Sequence, residues 1–379
     1  MSGGRAWLAA TVPAVEIDVS AREDVPPWLA YGTPLFTVLA ALAVGAVALL
    51  ALGVNPLTAY ERMFLTTLLD EFERTQTLLR AVPLVLTGLA VYLPLRAGLW
   101  NIGAEGQLYL GAIAGTWIGL NVSAPGVVLL GLSILGAAVA GGLWGLIPGY
   151  LRSRRGVNEI IATLMLTFVG VRLAEYLLNG PMQGSGGNVP ESNALPAAAR
   201  LPEIGLPAFG ETHAGVLIAV AAVALIRLLI TRTEQGFEIV VAGSNPEAAR
   251  QAGMSTGWIY VFVLAVGGAL AGVAGAVEIA GIEGKLRPGF SPGYGFTAIP
   301  IALLGRRGAL RIGAAGLFFA VLFVGGSGME FAFDVPAAIV EVIQALVILF
   351  LITAEFFKRY RVKLRRAESP GAAATGGGD

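Results

Sequence analysis

Nine stretches of the chain are predominantly apolar over 14 to 23 residues: Leu35 to Val54, Leu78 to Leu95, Gln107 to Leu120, Val127 to Pro148, Val157 to Leu178, Ala214 to Leu229, Trp258 to Ala280, Ile312 to Gly328 and Ala337 to Thr353. A tenth, Phe290 to Gly305, is interrupted by Pro292 and Pro300. A hydrocarbon core about 30 Å thick takes around 20 such residues per helix. The pattern therefore predicts an all-α fold, a polytopic transmembrane bundle of about ten helices spanning residues 35–354. Residues 1–34 read as a leader and 355–379 as a basic tail whose Gly/Ala-rich end, Ser369 to Asp379, is expected to be disordered. The acidic residues Glu16, Asp18, Glu23 and Asp24 stand where a signal peptide would be apolar, so the leader is read as a disordered or surface-lying segment.

Within the apolar runs, small residues recur four apart: Gly115 and Gly119, then Gly141, Gly145 and Gly149, then Gly268 and Gly272. In lipid this spacing lets helix backbones approach closely. A fainter pattern is an internal echo, in which Arg96-Ala97-Gly98 and Ile102 to Gly106 resemble Arg306-Arg307-Gly308 and Ile312 to Gly316. Duplicated helical units and chance similarity between Gly/Ala-rich segments explain it about equally well.

Polar residues interrupt the runs at two informative places. The first is Trp100-Asn101-Ile102-Gly103-Ala104-Glu105-Gly106-Gln107, which reads either as unwound backbone lining a polar cavity or as a short turn outside the bilayer. The second is Asn158-Glu159, which either caps the following helix or joins Asn101, Glu105 and Gln107 along a substrate path. Arg172 and Glu175 can pair at i,i+3 spacing, while Glu278 and Glu341 fall near helix ends where pairing or water is within reach.

Composition agrees with the membrane reading. Hydrophobic residues make up 56% and charged residues 13%, with a mean hydropathy of +0.75. Formal net charge is zero, which offers nothing to nucleic acid, and the absence of cysteine excludes thiolate metal sites. His213 is the single histidine, no phosphate-binding G-x-x-x-x-G-K-[ST] loop exists, and no motif calls for a cofactor. The chain is therefore not read as an enzyme. Basic clusters at Arg152, Arg154 and Arg155, at Arg306, Arg307 and Arg311, and at Lys358 to Arg366 fall on one side if there are ten crossings. The positive-inside rule makes that side, and both termini, cytoplasmic in a plasma membrane.

One segment on that side, 231–256, has the makings of a rigid knob. Asn245 can cap a short helix with Pro246 at its first position, Glu247 suits the helix dipole, and Gly253 can end it in a left-handed conformation. A capped exposed helix between two spans could transmit force from a soluble partner. Gly236 through Gly253, with Asn245-Pro246-x-Ala248-Ala249, resembles the coupling segment of ATP-binding cassette importer permeases. Leu99 to Gln107 and Gly156 to Leu166 are similar to the branch that handles nucleosides or simple sugars, related to ribose and branched-chain amino acid permeases.

That resemblance implies a type II-like permease fold and a translocation path for a solute handed over by an external binding lipoprotein. It also implies two ATPase subunits held at Gly236, Asn245, Pro246, Glu247, Ala248, Ala249 and Gly253, and a second homologous permease forming a heterodimer. Nucleosides are weakly preferred over sugars, and branched-chain amino acids remain an alternative. The reading from a different class is a stand-alone secondary transporter with Glu105 or Glu159 as a proton relay.

Overall fold

The computed structural model describes residues 15–21, 27–186, 189–207 and 209–366. The C-terminal stretch expected to be disordered, Ser369 to Asp379, lies outside the described residues. The chain forms two compact units, one of residues 1–45 with 345–379 and the other of residues 46–344.

Strand β1 (Val15–Ala21) and helix α1 (Pro27–Ala51) open the chain. A short connector of α2 (Pro56–Tyr60), a π-helical turn (Glu61–Thr66) and α3 (Thr67–Leu69) leads into α4 (Glu71–Arg96), α5 (Ala104–Asn121), α6 (Gly126–Arg155) and α7 (Glu159–Leu178). A long link then carries the hairpin β2 (Glu203–Leu206) and β3 (Gly210–His213), with Glu203 opposite His213. After it come α8 (Gly215–Arg232), α9 (Glu234–Ser244), α10 (Pro246–Gln251) and α11 (Thr256–Glu278), the last prolonged by a π-helical turn to Glu283. Helices α12 (Tyr294–Gly305), α13 (Ala309–Phe333) and α14 (Ala337–Arg359) precede β4 (Tyr360–Arg366).

Each of the ten apolar runs falls on a helix. Seven helices among the described residues are long and apolar enough to cross a membrane by length and composition. Helix α5 is diluted by Glu105, Gln107 and Asn121. The Pro-broken run is helical only from Tyr294, and its 12 residues extend about 18 Å, a little over half the hydrocarbon core. Pro292 and Gly293, the latter at φ +90°, stand before the helix and explain why it starts there. The leader is also more structured than expected: β1 pairs antiparallel with β4, Val15 opposite Arg366 and Ala21 opposite Tyr360, and α1 already begins at Pro27.

Local chemistry fixes the helix ends. Asp70 Oδ1 accepts the Glu73 N–H at 3.0 Å to start α4, and Asn158 Oδ1 accepts the Ile160 N–H at 2.9 Å to start α7. Helix α6 ends on Arg152, Arg154 and Arg155, which suit its negative pole, and on Gly156 at φ +66°.

Three helices, α5, α6 and α11, form the tightest part of the bundle. A Cβ added at Gly141 would strike the Gly268 carbonyl, one at Gly145 the Leu264 carbonyl, one at Gly272 the Ala137 carbonyl, and one at Gly275 the Leu108 carbonyl. The helices therefore touch backbone to backbone, which offsets the roughly 1 kcal/mol each glycine costs as a helix residue. Trp144 Nε1 donates to the Leu166 carbonyl at 3.2 Å and ties α6 to α7.

The contacts also give the bundle two distinct ends. Thr75, in the first turns of α4, donates to the Phe209 carbonyl beside the β2–β3 hairpin. At the other end of α4, a Cβ on Gly243 of α9 would strike the Arg96 carbonyl. Helix α4 thus runs from a hairpin end to an end carrying α9 and α10, where Arg227, Arg307 and Arg311 gather beside Arg96.

Candidate functional site

After Arg96 the chain turns back toward α4, with Gly98 at φ +77°. Asn101 thereby reaches into the bundle, where its Nδ2 donates to the Ala90 carbonyl at 3.2 Å. Asn101 and Gln107 face each other as a reciprocal amide pair: Asn101 Nδ2 donates to Gln107 Oε1 at 2.9 Å, and Gln107 Nε2 donates to Asn101 Oδ1 at 3.1 Å. The Ile102 N–H donates to Thr163 Oγ1 at 3.2 Å, linking the segment to α7. Glu105 Oε2 accepts the Gly295 N–H at 2.6 Å, placing a carboxylate at the N-terminal pole of α12.

Asn101, Glu105 and Gln107 are all buried. Of the stretch Trp100 to Gln107 only Trp100 to Gly103 is non-helical, Ala104 to Gln107 being the first turn of α5. Its polar side chains fasten α4, α5 and α12 to one another rather than line the cavity toward the hairpin end. Asn158 and Glu159 are not part of that cluster. Asn158 is exposed and caps α7, and Glu159 Oε2 lies 3.4 Å from Arg152 Nε at the end of α6. Arg172 and Glu175 pair at 2.5 Å on an exposed face, as their spacing suggested.

Toward the hairpin end, a cavity of about 410 Å³ opens between α4, the end of α11, the extended approach to α12, and α13. Its polar lining includes Gln76, Arg80, Glu283, Arg287, Tyr294 and Ser327, and Phe290 and Phe323 supply aromatic surface. Arg80 Nη1 lies 3.1 Å from Glu278 Oε1 and 2.6 Å from the Tyr294 hydroxyl, which itself donates to Glu278 at 3.1 Å. The Glu278 side chain is fully buried, whereas Arg80 keeps 34% of its side chain exposed to the cavity. Phe290 packs on Tyr109 of α5 with ring centroids 4.7 Å apart. None of these lining residues was singled out from the sequence. The usable signal was Arg80, a lone arginine near the start of an apolar run, together with the proline-broken stretch before Tyr294.

At the opposite end, α9 and α10 form the projecting segment. Thr233 Oγ1 accepts the Gly236 N–H at 3.0 Å, and Asn245 Oδ1 accepts the Glu247 and Ala248 N–H groups at 3.1 and 3.0 Å. Pro246 occupies the first turn of α10, and Gly253 follows the helix at φ +83°. Gly236 and Gly243 have a role the sequence did not show, since an added Cβ would strike the Leu229 and Arg96 carbonyls respectively. Ser244 to Ala248 are exposed while Ala249 is buried, so α10 has an anchored face and a free one.

Residues 74–352 match the family described as branched-chain amino acid transport system / permease component. The chain belongs to this family. It is 59% identical over 374 residues, 96% of this chain and 98% of the relative, to the glucose ABC transporter permease protein TsgB13 of Haloferax volcanii. It is 32% identical over 339 residues, 88% of this chain and 96% of the relative, to the guanosine ABC transporter permease protein NupP of Bacillus subtilis. A second Haloferax volcanii permease protein, TsgC13, is 27% identical over 281 residues, 72% of this chain and 82% of the relative. The chain is thus a multi-pass membrane permease subunit of an ABC transporter, as the resemblance of its motifs implied. The stand-alone secondary transporter is set aside, because the chain belongs to a family of permease components that includes ABC transporter permeases.

Proposed function

We propose that this permease forms half of the translocation path of an importer for a monosaccharide such as glucose, driven by ATPase subunits that dock on α9 and α10. The observation that carries the coupling part is the doubly capped, exposed α9–α10 pair pressed against the end of α4. A push on α10 reaches α4 through the Gly243–Arg96 contact, and α4 carries Arg80 at the cavity. The docking residues are the exposed Asn245, Pro246, Glu247, Ala248 and Gly253, while Gly236 and Ala249, also expected there, are buried and seat α9 and α10 on the bundle. Identity of 59% over nearly the whole chain to a glucose permease supports the sugar. So does a cavity that offers donors, acceptors and aromatic faces to a neutral, hydroxyl-rich solute. Nucleosides are the second reading, supported by the guanosine relative.

In this reading the arginine-rich end is cytoplasmic, as are both termini, and the hairpin end meets an external substrate-binding lipoprotein. The residue 1–34 leader and the 355–379 tail belong to the cytoplasmic side. The partner across the path is a second homologous permease, consistent with two such proteins in Haloferax volcanii. Asn101, Glu105 and Gln107 hold the path's helices together, and Asn158 and Glu159 hold the start of α7. The test is a reconstituted complex assayed for ATP hydrolysis stimulated by loaded binding protein, across glucose, other hexoses and nucleosides. An Ala248→Glu/Gly253→Arg variant should keep binding-protein docking and lose stimulation. Full stimulation in that variant refutes the docking assignment, and stimulation by nucleosides alone refutes the sugar.

A further inference from the structure

A groove on the side of the bundle remains unused by any of this. Between α4, α8 and α13 lies an apolar cavity of about 400 Å³, lined by residues such as Val82, Val85, Val220, Val223 and Leu317. It meets a second cavity of about 410 Å³ at the α9 end, and Arg227 and Leu310 line both. The second cavity is lined by Arg96, Arg227, Arg307 and Arg311 and by no carboxylate. None of the four forms an ion pair among the described residues, and Arg96 Nε is buried without a hydrogen-bond partner. The first turn of α13, the positive pole of a 25-residue helix, borders the same cavity.

Four guanidinium groups that no carboxylate among the described residues neutralises call for an anion. The groove beneath them calls for something apolar, and it is open sideways: Val220, Leu310 and Leu317 are 62%, 55% and 43% exposed. Along α8 the lining runs from Val216 to Arg227, about 16 Å, which is the hydrocarbon depth of a single leaflet. Only an amphiphile joins these two chemistries at that length. We propose that an anionic phospholipid sits here, its phosphate among Arg96, Arg227, Arg307 and Arg311 and one acyl chain along the α4–α8–α13 groove. An acidic protein patch would satisfy the arginines but leave the groove at membrane depth empty.

The site bears on coupling, because Ile230 and Thr231 at the end of α8 and Val240 of α9 wall the headgroup cavity. A bound lipid buttresses the base of the projecting segment from the membrane side.

The test uses the whole transporter complex in nanodiscs of phosphatidylcholine doped with phosphatidylglycerol. Lipid retained by the purified complex is counted by mass spectrometry. Removing an arginine that faces an anionic headgroup weakens binding by roughly fivefold, so Arg227→Gln/Arg311→Gln should weaken phosphatidylglycerol retention about 25-fold. Both side chains are exposed, so the fold is untouched. Val223→Trp, which fills the groove and leaves the arginines in place, should also displace the lipid. ATPase stimulation should fall in both variants and in pure phosphatidylcholine. Three results overturn the proposal: unchanged retention in the arginine variant, unchanged retention in Val223→Trp, or loss of the ATPase subunit from the arginine variant, which would assign the cluster to a protein partner.

Discussion

Replacing Arg80 with alanine tests whether the cavity is built around a charge pair. Glu278 has no exposed side-chain surface, its Oε2 has no hydrogen-bond partner among the described residues, and its Oε1 is held by Arg80 and the Tyr294 hydroxyl. Removing one member of a fully buried pair costs about 3–5 kcal/mol, because the survivor stays desolvated. Arg80 is a third exposed, so water can partly replace it, and the expected loss is about 2–4 kcal/mol. Removing both charges is a different experiment. In Arg80→Met/Glu278→Leu no desolvated charge is left, and such replacements are often neutral. The double variant should therefore recover at least half of the single variant's loss. The assay is thermal or denaturant unfolding of the purified protein in detergent, followed by tryptophan fluorescence. If the losses of Arg80→Met and Glu278→Leu measured singly simply add in the double variant, the side chains are not coupled and the pair does not organise the cavity.

Three further outcomes follow from the geometry. Asn245→Ala removes the acceptor for the Glu247 and Ala248 N–H groups and should loosen α10 by about 1 kcal/mol, lowering stimulated ATP hydrolysis while unfolding temperature hardly changes. Gly268→Leu forces side-chain atoms into the Gly141 carbonyl and should cost at least 1–3 kcal/mol, seen as lost monodisperse yield, whereas Gly131→Leu, where an added Cβ meets nothing, should be tolerated. His213, outside the spans next to α8, is buried with its Nδ1 accepting the Gly215 N–H, and burial lowers its pKa to about 4. The unfolded chain, with an ordinary histidine pKa near 6.5, binds the proton more readily, so this contribution to stability is complete above about pH 6.5 and is lost as pH falls toward 4. Unfolding temperature measured from pH 7 to 4.5 should drop less in His213→Phe than in the unmodified protein.

What could be read in the sequence is what depends on neighbours along the chain. Ten apolar runs became helices because hydropathy over 20 residues is a local quantity. Asn245, Pro246 and Gly253 gave away α10 because a cap is made with backbone two or three residues distant. Glycines four apart announced close helix contacts without saying with which helix. The cavity was illegible for the opposite reason. Arg80 and Glu278 are 198 positions apart, and only the packing of α4 against α11 brings them together. Their meeting also needs Tyr294 at the head of a helix that is too short to span, and a hydropathy window averages that half-helix with the extended approach before it. The polar residues that did stand out, Asn101, Glu105 and Gln107, stood out because they interrupt an apolar run. Interruption alone does not tell lining from fastening, because a buried polar group at membrane depth must be satisfied either by a cavity or by its own chain. Here the chain does it, with the Asn101–Gln107 amide pair, the Ala90 carbonyl and the Gly295 N–H. In the proposed path the polar side chains that meet a solute are those that keep exposed surface at the cavity, and Arg80, one-third exposed beside its two partners, is the first of them.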